Sequence, residues 1–290
     1  NIVKILNGLE IEIVSENEEQ FQLKVPAYRV DVQRDVDVIE DILRIYGYNN
    51  VEIGDKLVST LSYASKPDSH KLQILISEQL TAQGFNEVLN NSLTKGSYYN
   101  GLTAYPETES VKLLNPLSSD LNVMRQTLLF GGLENIARNI NYRNSDLKLY
   151  EFGNCYHYHN ENKNPENPLD AYTEEYHLGM WITGNKFTDS WTGGTQKSSF
   201  YELKAYVQNI LTRFGLNLRT LKTEEFADDL FAEALRISSA KGTIIATYGI
   251  VNPEMRKRTD VNAEVYYADL VWNNILSELK DSAVKYSELP

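Results

Sequence analysis

Within YRVDVQRDVDVIED, the side chains of Asp31, Asp35, Asp37, Glu40 and Asp41 put five carboxylates into eleven residues, directly ahead of an apolar helical run. Two chemistries suit that spacing. Acidic side chains at a helix start satisfy unpaired backbone N–H groups and complement the positive end of the macrodipole. On that reading Asp35 and Asp37 are caps, and Glu40 is the third-position partner of a D-x-x-E capping box. Asp31 is left unexplained by it. In the other chemistry Asp31, five residues beyond Pro26, folds back beside the first helical turn that carries Asp37, Glu40 and Asp41, so that four carboxylates converge. Like charges held close repel unless a cation neutralises them, and hard oxygen ligands suit Mg²⁺, which keeps several of its waters. Spacing alone leaves open both this metal site and a solvated acidic face paired with Arg29, Arg34 and Arg44.

Elsewhere the sequence offers little chemistry. It contains no G-x-x-x-x-G-K-[ST] and no G-x-S-x-G, and Gly131-Gly132 lies inside a helical pattern rather than after a strand, so no nucleotide loop is predicted. His157 and His159 are two apart on a predicted strand, but neither Cys nor carboxylate follows at ligand spacing, and they read as surface histidines. Arg125 and Arg143 have the chemistry to grip a carboxylate or phosphate; without a partner constellation they read as structural. Trp191, in TDSWTGG, reads as the buried anchor of a loop rather than a stacking platform. The 19 tyrosines suit half-buried antiparallel strands as well as contact surfaces.

Composition narrows the class. At 290 residues with 42% hydrophobic content, the chain has material for one large domain or two modest ones. No apolar run approaches a membrane span. The single cysteine, Cys155, excludes an internal disulfide framework and reads as an inert strand residue; with no signal peptide in view, this favours a reducing cytosol. A net charge of −12 is the opposite of what binding to a phosphate backbone requires. The opening NIVKIL lacks an initiator Met, which suggests a piece of a longer protein.

The elements that must position these residues fall into two groups. Residues 1–56 read as a small α/β unit in which Ile11 to Val14 and EEQFQLKVP alternate as strands. The helix that follows places Ile39, Ile42, Leu43 and Tyr46 on one face and Asp37, Glu40, Asp41 and Arg44 on the other, with Gly47 at the C-cap. A polar connection, GDKLVSTLSYASKPDS, leads into a module over 62–285. Its first helix, over 68–83, buries Leu72, Leu75, Ile76 and Leu80 and stops at Gly84. FNEVLNNSL, SVKLLNP, LKLYEFGNCYHYH, YHLGMWITG, GTIIATYGIV and VYYADLVW read as strands. Helices follow through Leu129, Leu133, Ile136 and Ile140, and through Phe200, Leu203, Val207, Ile210, Leu211 and Phe214. Strands and helices mix without regular βαβ alternation, which predicts an α+β antiparallel sheet with flanking helices.

VPAYRVDVQRDVDVIEDILRIYGYNNV resembles the pattern of bacterial phenylalanyl-tRNA synthetase beta subunits, in which P-x-x-R-x-D, D-[LI]-I-E-E and R-[IL]-Y-G-Y-[DN] follow at this spacing. GFNEVLNNSL, LLNPLSSDLNVMRQTLLFGGLENIARN, LYEFGNCY, SFYELKAYVQNILTRFG and YGIVNPEMRKRTDV resemble successive blocks of the same subunit's catalytic-like module, and together they cover almost the whole chain. The resemblance implies a class II synthetase-like fold from about residue 60 to 285, in its noncatalytic copy. The alpha subunit of a heterotetramer of two alpha and two beta chains then binds ATP and phenylalanine. Glu151 stands where the alpha subunit has a substrate-binding glutamate, but YGIVNPEMR lacks the G-x-G-x-E-R arginine. The resemblance also implies a Mg²⁺ site shared with the alpha subunit, at Asp31, Asp37, Glu40 and Asp41. Asp41 replaces the usual second glutamate of that pattern, so its shorter side chain suits ligation through water. The editing and tRNA-binding domains of the family have no counterpart in these residues. tRNA(Phe) is therefore expected to be reached only through the full assembly. A self-contained ATP-using enzyme and an N-terminal winged-helix-like nucleic-acid-binding module are the competing readings, the second disfavoured by the acidic cluster.

Overall fold

The computed structural model describes residues 1–17, 20–54, 59–61, 68–187, 191–192 and 194–279. The chain divides into two compact units, Asn1–Tyr63 and Ala64–Pro290. The predicted boundaries at 56, 62 and 285, and most of the polar connection, lie outside the described residues.

In the first unit, helix α1 (Ile2–Gly8) leads into a hairpin of β1 (Glu12–Glu16) and β2 (Phe21–Lys24). Glu12 pairs with Lys24 in register, and their side chains meet at 3.4 Å. Helix α2 (Asp35–Tyr46) ends at Gly47, whose φ of +95° glycine tolerates, while Asn50 Nδ2 donates to the Tyr46 carbonyl at 2.6 Å. Leu6, Ile11 and Val38 form the buried core, with Ile13, Leu23, Val25, Val32 and Ile42 packed on it. The buried face of α2 therefore differs from the predicted one. Ile39 and Tyr46 are exposed, and Val38 and Asp41 point inward. The hydrophobic spacing allowed either rotation of the helix, and a paired carboxylate at Asp41 settles which is taken.

The second unit is built on a seven-stranded sheet. Helix α3 (Ser69–Ala82) starts at Asp68, whose side chain accepts from the backbone N–H groups of His70 and Lys71, and the chain turns at Gly84 with φ +87°. Then follow β3 (Asn86–Glu87), β4 (Leu93–Thr94), β5 (Val123–Met124), α4 (Leu129–Asn141), β6 (Leu147–Tyr158), β7 (Tyr172–Thr183), α5 (Phe200–Arg213), β8 (Lys222–Phe226), β9 (Phe231–Ser238), β10 (Ile244–Val251), α6 (Pro253–Lys257), β11 (Val265–Val271) and α7 (Trp272–Glu278). The sheet order is β3-β6-β7-β11-β10-β9-β8, antiparallel except for β3 beside β6, and β4 and β5 form a separate pair. The α+β antiparallel architecture expected from the element order is the one observed.

Period-2 alternation sends each strand into two cores. Tyr150, Phe152, Leu178, Met180 and Ile182 pack with Ile76 and Leu80 of α3, Leu203, Val207, Ile210 and Leu211 of α5, and Trp272 and Ile275 of α7. Leu147, Leu149, Cys155, Trp181 and Tyr267 face Tyr98, Tyr99 and Leu128, and Leu129, Phe130, Leu133 and Ile136 of α4. A Cβ at Gly132 would stand 2.1 Å from the Trp181 ring, so this glycine inside a helix lets the indole lie against the backbone.

Two predicted strands are largely loop. FNEVLNNSL yields only β3 and β4, because Asn90 and Asn91 turn their side chains to Glu151 and to the Leu93 N–H instead of extending the ladder. SVKLLNP contributes a single bridge, Lys112 to Val123, and leaves Leu114 exposed. Trp191 is 98% exposed rather than a buried loop anchor, a further correction. Among the described residues no helix is long and apolar enough to cross a membrane.

Candidate functional site

The acidic stretch is organised by arginines. A turn in which the Arg29 N–H donates to the Pro26 carbonyl at 3.0 Å aims the Arg29 guanidinium at α2. Its Nη2 donates to Asp41 Oδ2 at 2.6 Å and to Asp31 Oδ2 at 3.1 Å, and its Nε donates to Asp31 Oδ1 at 3.3 Å. Arg44 approaches the other Asp41 oxygen at 3.6 Å. Asp37 faces elsewhere. Its Oδ2 accepts from the backbone N–H groups of Gln33 (3.1 Å) and Arg34 (2.9 Å), and its Oδ1 meets Arg34 Nη2 at 3.0 Å. Asp35 accepts from the Val36 N–H at 2.9 Å, and Glu40 is exposed.

These contacts correct two expectations. Asp37 is the third helical residue reaching back to the cap position, not the cap, so the box starts at Arg34 and Glu40 is not part of it. The four carboxylates Asp31, Asp37, Glu40 and Asp41 do not converge: Asp31 and Asp41 meet on Arg29 while Asp37 is turned to the loop. The partners are those of the arginine-paired reading, with the difference that Asp41 is buried rather than solvated. The charges are settled by these pairs. The Arg29 hydrogen bonds hold the Asp31 carboxyl below its usual range, and the Arg34 side chain, then the Gln33 and Arg34 N–H groups, do the same for Asp37. Arg29 is in turn raised, chiefly by Asp31 and then by Asp41. As placed, the residues do not fit a Mg²⁺ shell: among the described residues no three His, Cys, Asp or Glu side chains form a group able to hold a metal.

On the sheet of the second unit, Arg125 and Glu151 form a buried ion pair at 2.6 Å. Glu151 Oε1 also accepts from the Asn90 N–H at 3.1 Å, Oε2 accepts from Asn90 Nδ2 at 2.6 Å, and Asn135 Nδ2 donates to Asn90 Oδ1 at 2.6 Å. Arg125 Nε donates to the Asn154 carbonyl at 2.9 Å, and a Cβ at Gly153 would stand 2.1 Å from the guanidinium, so glycine lets Arg125 lie flat on β6. Both oxygens of Glu151 are thus committed within the chain. A cavity of about 80 Å³ beside the pair, lined by Asn90, Arg125, Thr127 and Glu134 among others, has room for a few waters and none for a nucleotide.

A second charged group on this sheet escaped the sequence reading. His177 on β7 stands 2.7 Å from Asp269 on β11 and 3.5 Å from Glu175. Burial opposes its charge, but the two carboxylates outweigh burial and raise its pKa to about 10. The signal that was available is a His and an Asp beside the apolar runs LGMWI and VYYA of two predicted strands. An imidazolium held from an unfolded value near 6.5 up to about 10 contributes stability that is complete below about pH 6.5 and is lost as pH rises through about 10. Unfolding free energy measured by urea titration is therefore expected to fall between pH 7 and 10, and Asp269→Asn is expected to flatten that slope. A slope unchanged by the substitution would assign it to other groups. His157 lies 4.0 Å from Glu109 and its pKa is lowered by burial; His159 meets Thr173 Oγ1 at 3.0 Å, and neither gathers a ligand set among the described residues. Burial pushes the Cys155 thiol well up, in keeping with an inert strand residue.

A mostly antiparallel sheet with helices on one face and a helix and loops on the other places the second unit in the class II aminoacyl-tRNA synthetase fold. A crystal structure of pyrrolysyl-tRNA synthetase from Desulfitobacterium hafniense shares that fold with a TM-score of 0.54 over 75% of this chain and 74% of that one, at 11% identity. A second structure of that organism's enzyme gives 0.53 at 12% identity. The chain belongs to the phenylalanyl-tRNA synthetase beta chain family: the model described as "Phenylalanyl tRNA synthetase beta chain CLM domain" matches residues 56–272, and "tRNA synthetase B5 domain" matches residues 1–48. Curated relatives named phenylalanine–tRNA ligase beta subunit are 54% identical in Bacteroides fragilis, 53% in Bacteroides thetaiotaomicron and 45% in Porphyromonas gingivalis, each over 99% of this chain. The chain spans 35% of the length of each of these relatives.

Proposed function

We propose that this chain is the portion of a phenylalanine–tRNA ligase beta subunit that supports aminoacylation by assembling with the alpha subunit, and that it has no catalytic residue of its own. In this reading ATP and phenylalanine bind the alpha subunit, two alpha and two beta chains form the cytoplasmic enzyme, and tRNA(Phe) is engaged by the full assembly. The observation that carries it is the closure of Glu151: its carboxylate is fully buried, its charge is paired with Arg125 and both oxygens accept hydrogen bonds from within the chain, so it is not presented to a substrate ammonium. A Mg²⁺ ion shared with the alpha subunit at Asp31, Asp37, Glu40 and Asp41 would require that chain to draw together carboxylates that stand apart here, and to displace Arg29, which neutralises Asp31 and Asp41.

The test is co-purification with the Bacteroides fragilis alpha subunit, combined with ATP calorimetry on the chain alone. A stable complex and no saturable ATP binding are expected. Asp37→Asn keeps an acceptor for the Gln33 and Arg34 N–H groups, so it is expected to leave the thermal stability of the chain nearly unchanged while lowering any Mg²⁺-dependent stability of the complex. Saturable micromolar ATP binding, abolished by a substitution in the second unit, would replace this reading with a self-contained enzyme.

A further inference from the structure

Strand β8 is the last strand of the sheet, paired with β9 alone, and among the described residues its outer edge has no neighbouring strand. Such an edge offers a row of backbone donors and acceptors to any extended chain, and proteins ordinarily blunt it with charge. Beside it opens a cavity of about 480 Å³ whose lining includes Phe200, Glu225, Phe226, Glu233 and Leu235. Glu225 lies opposite Leu235 in the ladder, and Glu233 precedes Leu235 by two residues, so both carboxylates share one face of the sheet and both adjoin the apolar Leu235 side chain. Phe200, at the start of α5, lines the same cavity.

The two cations of β8 and β9 are already committed elsewhere. Lys222 is paired with Glu224 at 2.5 Å, and Arg236, opposite Glu224 on the other face, stacks 3.4 Å from the Phe226 ring centroid and donates to Thr247. Glu225 and Glu233 are exposed, and neither is among the ion pairs or side-chain hydrogen bonds of the described residues. An apolar floor adjoining two carboxylates without a partner among the described residues fits a side chain with an aliphatic stem and a cationic head. The glutamates on β8 repel a second copy of the same strand, and the net charge of −12 repels nucleic acid.

We propose that the β8 edge and this cavity form a docking site for an extended, basic segment of a partner protein. The segment adds as a further strand beside β8, with a lysine or arginine side chain lying over Leu235 and Phe200 and its cation between Glu225 and Glu233. The probe is a six-residue peptide alternating Lys and Val, titrated into the isotope-labelled chain and followed by backbone amide shifts. Saturable shifts centred on residues 222–226 are expected. They should weaken with added salt and require roughly tenfold more peptide in the double variant Glu225→Gln, Glu233→Gln. A peptide alternating Glu and Val should leave the spectrum unchanged. The double variant removes no ion pair or side-chain hydrogen bond of the described residues, and its amide spectrum away from β8 reports that the sheet is intact. The proposal is overturned by the absence of saturable shifts, by shifts indifferent to the double variant, or by free spermidine competing fully with the peptide, which would make this a small-cation pocket.

Discussion

Arg125→Met is expected to cost the second unit about 3 to 5 kcal/mol, the range for removing one partner of a buried ion pair and leaving the other charged. Arg125 and Glu151 are 6% and 0% exposed, so neither recovers solvation when its partner goes. The loss should show as an earlier midpoint in urea unfolding followed by the fluorescence of Trp181 and Trp272, both buried in this unit. Adding Glu151→Gln to Arg125→Met should restore a large part of the stability: the buried charge disappears, while the amide can still accept from the Asn90 N–H. A double variant no more stable than Arg125→Met would mean that the Asn154 contact and the packing of the arginine on Gly153, not the charge, set the cost. The same cycle bears on function, because a carboxylate whose removal relieves the fold is acting as a structural anion rather than a substrate ligand.

Leu203→Ala and Ile210→Ala should each cost roughly 2 to 5 kcal/mol, the loss on truncating a buried aliphatic side chain and leaving a cavity. Both are fully buried on α5 in the core shared with α3, α7 and the strands. The core they share includes the large rings of Tyr248 and Trp272, which have few alternative rotamers with which to fill a space, and this favours the upper half of that range. A loss below about 0.5 kcal/mol in either variant would contradict the burial of this helix face.

Where a pattern repeats over many residues, the sequence was a sufficient guide. Strong helical spacing placed α4 and α5 with their buried residues, because a single rotation buries their apolar stripe, and long β-rich runs placed β6 and β7, whose alternate residues fill the two cores on either side of the sheet. Short elements with polar interruptions were not legible in the same way. FNEVLNNSL has strand composition, but the choice of Asn90 to bind Glu151, sixty-one residues away in sequence, ends the ladder early. The rotation of α2 likewise depended on Arg29, since an apolar stripe that includes Ile39 and one that includes Val38 are equally good until a guanidinium makes Asp41 burial favourable.

The acidic motif divides along the same line. Its residues, their family and the arginines available to them are written in the sequence. Which carboxylate faces which cation is not, because Asp31, Asp37 and Asp41 are chemically equivalent acceptors until the turn after Pro26 aims one arginine at two of them and leaves the third to reach back from the first helical turn to Gln33 and Arg34. The sequence by itself determined the class of fold, the family and the residue types at the candidate sites, since these follow from local periodicity and motif spacing. Only the tertiary structure decided the closed state of Glu151, the His177–Asp269 pair and the two glutamates beside β8 that have no partner among the described residues. Each of these depends on side chains brought together from different strands and loops, and charge pairing over a few ångströms has no signature in local spacing.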